Sequence, residues 1–124
     1  MLITIKNGYS AHHTMVSVPH SHFKNDVAKA LLAAGYIAGY QKKARNKGAD
    51  LLEINLKPFD GFSLAVQDVK RISKPSRRLY AGVQDIYEVK QGHGTLFLST
   101  PKGVLSGDQA RKEQVGGELL FEIW

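Results

Sequence analysis

Apolar and polar positions follow two different periods along the chain, and the switches between them mark its elements. Phe23, Val27, Ala30, Leu31 and Ala34 recur at helical spacing, with Ser21 placed to cap the start and Gly35 to stop it. They predict a helix whose apolar stripe faces a sheet. Before it, Leu2, Ile3 and Ile5 ahead of Asn7-Gly8 predict the stub of a helix closed by a glycine. Met15, Val16 and Val18, ended by Pro19, predict a short strand. Tyr36, Ile37 and Tyr40 predict another, leading into a basic loop over 42–48. Leu52, Ile54 and Leu56 alternate with Glu53, Asn55 and Lys57, the pattern of a half-buried strand. After a turn at Pro58-Phe59-Asp60-Gly61, Phe62, Leu64 and Val66 predict the returning strand. Residues 1–68 are therefore expected to form an α-β-α-β-β lobe with helices on one face of a small sheet.

The remainder, 69–124, changes character. An extended stretch over 69–72 reaches a proline turn, Ser73-Lys74-Pro75-Ser76, followed by Arg77-Arg78-Leu79-Tyr80. A helical turn is expected within 83–91, and Gly92-His93-Gly94 forms a further turn. Thr95 opens a strand that runs into a tight loop, Ser99-Thr100-Pro101-Lys102-Gly103. Ser106 is placed to cap a short helix over 107–114, Gly116-Gly117 break the chain, and an apolar strand fills 118–124. The expected fold class is α+β: an N-terminal α/β lobe with a small sheet and a C-terminal, mainly antiparallel β lobe with a short helix.

Charge adds a partner class to this outline. The net charge is +6, shared as +3 on each lobe: eight Lys/Arg against five Asp/Glu in 1–68, and nine against six in 69–124. Its clustering matters more. Lys42, Lys43, Arg45 and Lys47 fall within six residues, and Lys70, Arg71, Lys74, Arg77 and Arg78 within nine, with no acid inside either run. Such runs are the electrostatic footprint of a nucleic-acid binder, with a solvated basic face as the plain alternative. The chain has no cysteine, which excludes disulfides and thiolate metal sites and suits a reducing cytoplasm. No apolar run has the length of a membrane span, and the N-terminus lacks the apolar segment of a signal peptide.

The loop Ser99 to Gly103 places two hydroxyls, an ammonium and a glycine within five residues. Hydroxyls donate and accept toward ribose 2′-OH groups and base edges, Lys102 suits a phosphate, and Gly103 permits close backbone approach. The alternative is a loop whose Ser and Thr bond only their own backbone. Tyr80, after the basic turn, either stacks on a base or packs the second lobe. His12-His13 and His20-x-His22 crowd the first lobe, but their spacing fixes no third metal ligand. Gly92-x-Gly94 lacks the rest of a dinucleotide fingerprint, and no phosphate-binding G-x-x-x-x-G-K-[ST] is present, so no cofactor is expected.

In combination, Ser99-Thr100-Pro101-Lys102-Gly103-Val104-Leu105-Ser106, Ala110-Arg111 and Gly116-Gly117-Glu118 resemble the small-subunit ribosomal protein eight family. The likeness extends to Arg71-Ile72-Ser73-Lys74-Pro75-Ser76-x-Arg78-x-Tyr80 and Gly92-x-Gly94, and, in weaker matches, to Lys6-Asn7-Gly8, Val16 to Ser21 and Gly35-Tyr36-Ile37. The resemblance implies a structural constituent of the small ribosomal subunit, cytoplasmic and without catalysis. It implies a primary binder of the central domain of the small-subunit RNA that aids platform assembly beside neighbouring ribosomal proteins. Some bacterial members also bind their own operon's messenger RNA. By the same resemblance Ser99, Thr100, Lys102 and Gly103 contact RNA, flanked by Lys74, Ser76, Arg78, Tyr80, Gly117 and Glu118, with Lys6 and Asn7 from the first helix. The competing classes are a small RNA-processing enzyme using the N-terminal histidines with an acid, and a non-ribosomal adaptor of double-stranded RNA.

Three departures from the family pattern carry expectations. The usual leading segment with Asp-Pro is missing, which implies a short first helix with a weaker RNA contact, or a start codon upstream. Pro101 stands where serine is frequent, removing a hydroxyl and an N–H while stiffening the loop. Ser76 stands where glycine is frequent, so a positive φ there would be strained.

Overall fold

In a computed structural model of the chain, which describes residues 1–45, 47–48, 50–58, 66–89 and 94–124, the first unit, Met1–Gln67, runs α1 (Leu2–Ser10), β1 (Met15–Pro19), α2 (His22–Ala33), β2 (Gly39–Lys43) and β3 (Leu51–Asn55). The strands form an antiparallel sheet in the order β1-β3-β2. Val16 and Tyr40 both lie opposite Ile54, and Val18 opposite Leu52, so the apolar positions share one face. Ile5, Val27, Leu31, Ile37, Leu52, Ile54 and Leu56 are buried there with the two helices.

Helix α2 follows its sequence signals closely. The Ser21 hydroxyl oxygen accepts the Lys24 N–H at 3.1 Å. Gly35 stands at φ +86, its N–H donates to the Leu32 carbonyl, and the Tyr36 N–H donates to the Leu31 carbonyl. This pair of bonds is a Schellman stop. Because Tyr36 completes it and Ile37 turns into the core, strand β2 begins only at Gly39. Lys42 and Lys43, expected in a loop, are strand residues instead.

Helix α1 corrects the sequence reading. It runs through Gly8 to Ser10 and is no stub closed by that glycine. Gly8 is buried where the helix meets the sheet: a Cβ there would lie 2.6 Å from Val16 Cγ1 and 2.9 Å from Leu56 Cδ1. Close packing, rather than a turn, requires the glycine. The stop comes later, with His12 in the left-handed region at φ 57 and the His12 and His13 N–H groups donating to the Tyr9 and Gly8 carbonyls. Strand β3 shows a second difference. Glu53 is buried although the alternation placed it outside, because its carboxylate accepts from Gln41 Nε2 at 2.8 Å and pairs with Lys43 Nζ at 3.5 Å. The expected turn at 58–61 and returning strand at 62–66 lie largely outside the described residues.

The second unit, Asp68–Trp124, contains β4 (Val69–Arg71), β5 (Tyr80–Ala81), a single 3-10 turn (Val83–Asp85), β6 (Thr95–Thr100), β7 (Gly103–Ser106), α3 (Gly107–Lys112) and β8 (Gly117–Ile123). The order is β4-β8-β6-β7, and β5 pairs β8 at its other end. Every pairing is antiparallel. Together the two units give an α+β protein, with an α/β first part and a mainly β second part. Leu96, Leu98, Leu119, Ala110, Ile86 and Val89 form the core under α3. On the opposite sheet face Phe97 stacks on Phe121, with ring centroids 5.0 Å apart. A bulge makes this possible: Phe97 pairs with Phe121 but Leu98 pairs with Leu119, so Leu120 is extra on β8 and neighbouring apolar residues serve both faces.

The short helix, expected over 107–114, ends at Lys112. Gln114, at φ 55, provides the left-handed stop, with its N–H on the Arg111 carbonyl and the Val115 N–H on the Ala110 carbonyl. Gly116-Gly117 therefore do not end the helix. A Cβ at Gly116 would land on the Ala81 carbonyl oxygen, and one at Gly117 on the Ser99 carbonyl oxygen. The pair lets β8 pass between β5 and β6.

One buried hydroxyl ties the first unit together. Tyr9 Oη donates to the Tyr36 carbonyl at 2.6 Å and accepts the Lys57 N–H at 3.1 Å, joining the end of α1 to the segments before β2 and after β3. Burial raises the pKa of its phenol, with the Lys57 bond acting in the opposite direction. Replacing Tyr9 by Phe keeps the ring but strands a carbonyl and an N–H. The expected loss is about 1–3 kcal/mol, read as a lower denaturant midpoint with unchanged m-value.

Candidate nucleic-acid interface

Direct cross-strand partners share a sheet face, and the ladder in the second unit lines up an unusual set. Tyr80 lies opposite Glu118, Glu118 opposite Ser99, and Ser99 opposite Val104. One row across β5, β8, β6 and β7 thus carries a phenol, a carboxylate and a hydroxyl. Tyr80 is 69% exposed, so it does not pack the second unit, and its ring stands open for stacking. The Arg78 guanidinium joins the row from the loop before β5. Its Nη1 donates to both oxygens of Glu118, at 3.2 and 3.3 Å. Glu118 therefore holds Arg78 beside Tyr80 and Ser99. Gly117 lies under this row, where its missing side chain keeps β6 and β8 in hydrogen-bonding reach.

The hydroxyl loop is tighter than its sequence suggests. It is a two-residue turn, Pro101-Lys102, between β6 and β7, and 104–106 continue as strand. Thr100 Oγ1 donates to the Gly103 carbonyl at 2.8 Å and accepts the Lys102 N–H at 3.1 Å. Its hydroxyl closes the turn and leaves one lone-pair direction for an outside donor. Gly103 is required by its φ of +109, since nothing stands within 4 Å of a Cβ there. Pro101 needs no N–H at this place, so the stiffening costs no turn bond. Lys102 reaches across to α3, where Nζ meets Glu113 Oε2 at 2.9 Å. That ammonium, with a further bond from Gln109, holds the Glu113 carboxyl below its ordinary range. Ser99 thus faces the Tyr80 row while Lys102 is drawn toward the helix.

A second turn carries Lys74 and Ser76. Lys74 and Arg77 exchange both backbone hydrogen bonds at 2.9 Å, leaving Pro75 and Ser76 at the bend. Ser76 is not among the residues with positive φ, so the turn accepts a serine without strain. Lys74, Ser76, Arg77 and Arg78 are all exposed. The residue that presents them escaped the sequence reading. Ser73 is buried, and its hydroxyl both accepts the Leu79 N–H at 2.9 Å and donates to the Leu79 carbonyl at 3.2 Å. It ties the two ends of the 73–79 loop so that the cations project from a closed base. Nothing in a run of Ser, Lys, Pro and Arg tells a buried hydroxyl from an exposed one, so only the folded chain reveals this role. Glu113, an exposed carboxylate, was missed because its pairing with Lys102 depends on where the short helix packs against the β6–β7 turn.

Lys6 and Asn7 sit in the other unit on α1, Lys6 half-buried and Asn7 exposed. The first-unit histidines are a loose group. His20 and His22 meet edge to face with centroids 6.0 Å apart, and no cluster of three or more His, Cys, Asp or Glu able to hold a metal occurs among the described residues. The Gly92-x-Gly94 turn lies outside them apart from Gly94.

Comparison with known proteins decides the family. The model of ribosomal protein S8 matches residues 1–124. The chain belongs to the ribosomal protein S8 family. Among its relatives, small ribosomal subunit protein uS8 of Syntrophus aciditrophicus is 40% identical over 124 residues, covering 100% of this chain and 93% of that protein. Those of Rhizobium meliloti and Erythrobacter litoralis are 42% and 44% identical with the same coverage. Membership carries a structural role on the ribosome in the cytoplasm, without a catalytic step.

The Ser73 clamp is testable apart from any ligand. Ser73→Ala removes both hydrogen bonds to Leu79 and leaves its amide unpaired, for an expected loss of about 1–3 kcal/mol. Amide hydrogen exchange at Leu79 should accelerate while that of the α2 amides stays at its wild-type rate relative to global stability.

Proposed function

We propose that this S8-family chain binds the central domain of the small-subunit ribosomal RNA through the Tyr80–Glu118–Ser99 row and the two turns beside it, and so helps assemble the platform. The observation that carries the reading is the row itself: an exposed ring, an ordered guanidinium and a hydroxyl on one face, at positions that bear the family's motifs. In this arrangement Tyr80 stacks on a base or sugar, and Arg78 meets a phosphate while Glu118 keeps it in place. Ser99 and the turn at Thr100 to Gly103 fit a shallow minor groove. Lys74 and Ser76 approach the backbone beside it, and Lys6 and Asn7 add a contact from the first unit. A messenger helix of like shape from its own operon would compete for the same face.

The test is a binding titration with the cognate RNA helix against a scrambled helix of equal length. Thr100→Ala removes both turn bonds and should lower specific affinity by about 1–2 kcal/mol, whereas Thr100→Ser, which keeps them, should bind as wild type. Unchanged affinity for the alanine variant would remove the tip from the interface. Lys74→Ala should weaken both RNAs alike and flatten the salt dependence by roughly 0.7 to 0.9 in the log–log slope. An undiminished slope takes Lys74 off the phosphate list, and equal binding of cognate and scrambled RNA overturns the reading in favour of a sequence-indifferent adaptor of double-stranded RNA.

A further inference from the structure

Helix chemistry does not explain Glu113. It is the C-cap of α3, and a carboxylate at a helix C-terminus opposes the negative end of the dipole, where Arg111 and Lys112 are the fitting residues. Both of its oxygens are nevertheless engaged. Oε2 accepts from Lys102 Nζ at 2.9 Å and Oε1 from Gln109 Nε2 at 3.4 Å. Lys102 is thus held at both ends, by Glu113 at its ammonium and by Thr100 Oγ1 at its backbone N–H. Stability does not account for the pair either. Its side chains are 54% and 39% exposed, and pairs that open to solvent contribute little.

The pair also points away from the Tyr80 row. Leu98 and Leu119 pack under α3, and their strand neighbours Ser99 and Glu118, paired with each other, point to the other face of the sheet. By joining α3, Lys102 carries its charge toward the face opposite the row. Glu118 treats Arg78 differently: its own side chain is only 16% exposed, and a guanidinium with five N–H donors keeps others for a phosphate. Glu113 stays open to solvent, and because Lys102 holds its carboxyl below the ordinary range, it is charged at neutral pH. A phosphate approaching Lys102 therefore meets an anion beside the ammonium. Either the ion pair opens or two anions share one cation, and both are unfavourable. The tip is left to its hydroxyls and backbone groups, which reward only a groove of matching shape.

We propose that Glu113 is a specificity-determining residue of RNA binding: it withdraws the Lys102 charge from the tip, so that duplexes the tip does not fit gain nothing from it. Glu113 acts through Lys102 as a positioning residue, and its role rests on the RNA-binding reading above. Glu113→Gln keeps the size of the side chain and removes its charge. In titrations of the full chain, that variant should bind the scrambled helix about 3- to 10-fold more tightly, with a log–log salt slope steeper by roughly 0.7 to 0.9, because one freed cation adds one phosphate contact. Affinity for the cognate helix should rise by less than half as much on a logarithmic scale, so discrimination falls. In a Lys102→Gln background the same change should do no more than Asp26→Asn, which removes an exposed carboxylate from the first unit. Three results overturn the proposal. An equal rise for both helices is a bulk-charge effect, a fall in cognate affinity makes Glu113 a clamp that holds Lys102 onto a bound phosphate, and a gain that survives Lys102→Gln does not pass through Lys102. Each leaves the proposed function standing so long as the wild-type chain prefers the cognate helix. Wild-type binding that does not distinguish the two helices overturns both.

Discussion

The second unit depends on how closely three backbones approach around Gly116 and Gly117. A methyl group at either position would occupy the space of a carbonyl oxygen on a neighbouring strand. With hydrogen there instead, β8 slides between β5 and β6 and hydrogen-bonds to both. The row from Tyr80 through Glu118 to Ser99 exists only because that passage is open. The arrangement is a steric constraint on backbone, so no rearrangement of side chains elsewhere substitutes for it.

From this passage the chemistry of the face follows. Strand pairing sets Glu118 between an exposed phenol and a hydroxyl, and its carboxylate then holds Arg78 at about 3.2 Å. One hydroxyl reinforces each of the two loops beside the row, Thr100 across the Pro101-Lys102 turn and Ser73 across the ends of the 73–79 loop. Loops tied in this way have little backbone freedom left to lose, although the cations they carry remain exposed.

The cations differ in how they are held. Lys102 is drawn to Glu113 and Arg78 to Glu118, while on the other unit Lys42 pairs with half-buried Asp50 and Lys43 with buried Glu53. With the cations themselves largely in solvent, such pairs contribute little to stability, so their main effect is on where a charge sits. A protein that must meet a crowded polyanion gains more from placed charges than from additional ones.

Periodicity and punctuation in the sequence sufficed for much of the fold. The α2 stripe with Ser21 and Gly35, the β3 alternation, the Ser106 cap and the apolar β8 are local patterns, and local backbone preferences decide them. The family motifs likewise singled out Ser99, Thr100, Arg78, Tyr80 and Glu118 before any geometry was known. What tertiary structure alone decided were the matters of approach and burial. Gly8 and Gly116-Gly117 read as chain breakers, yet their purpose is contact with strands far along the chain, while His12 and Gln114 take the left-handed stops. Glu53 alternates as an outward residue but is covered, and Ser73 resembles every other serine until its hydroxyl meets Leu79. A sequence states which groups a residue carries; whether a neighbour comes within 3 Å of them is settled by strands that the local pattern does not contain.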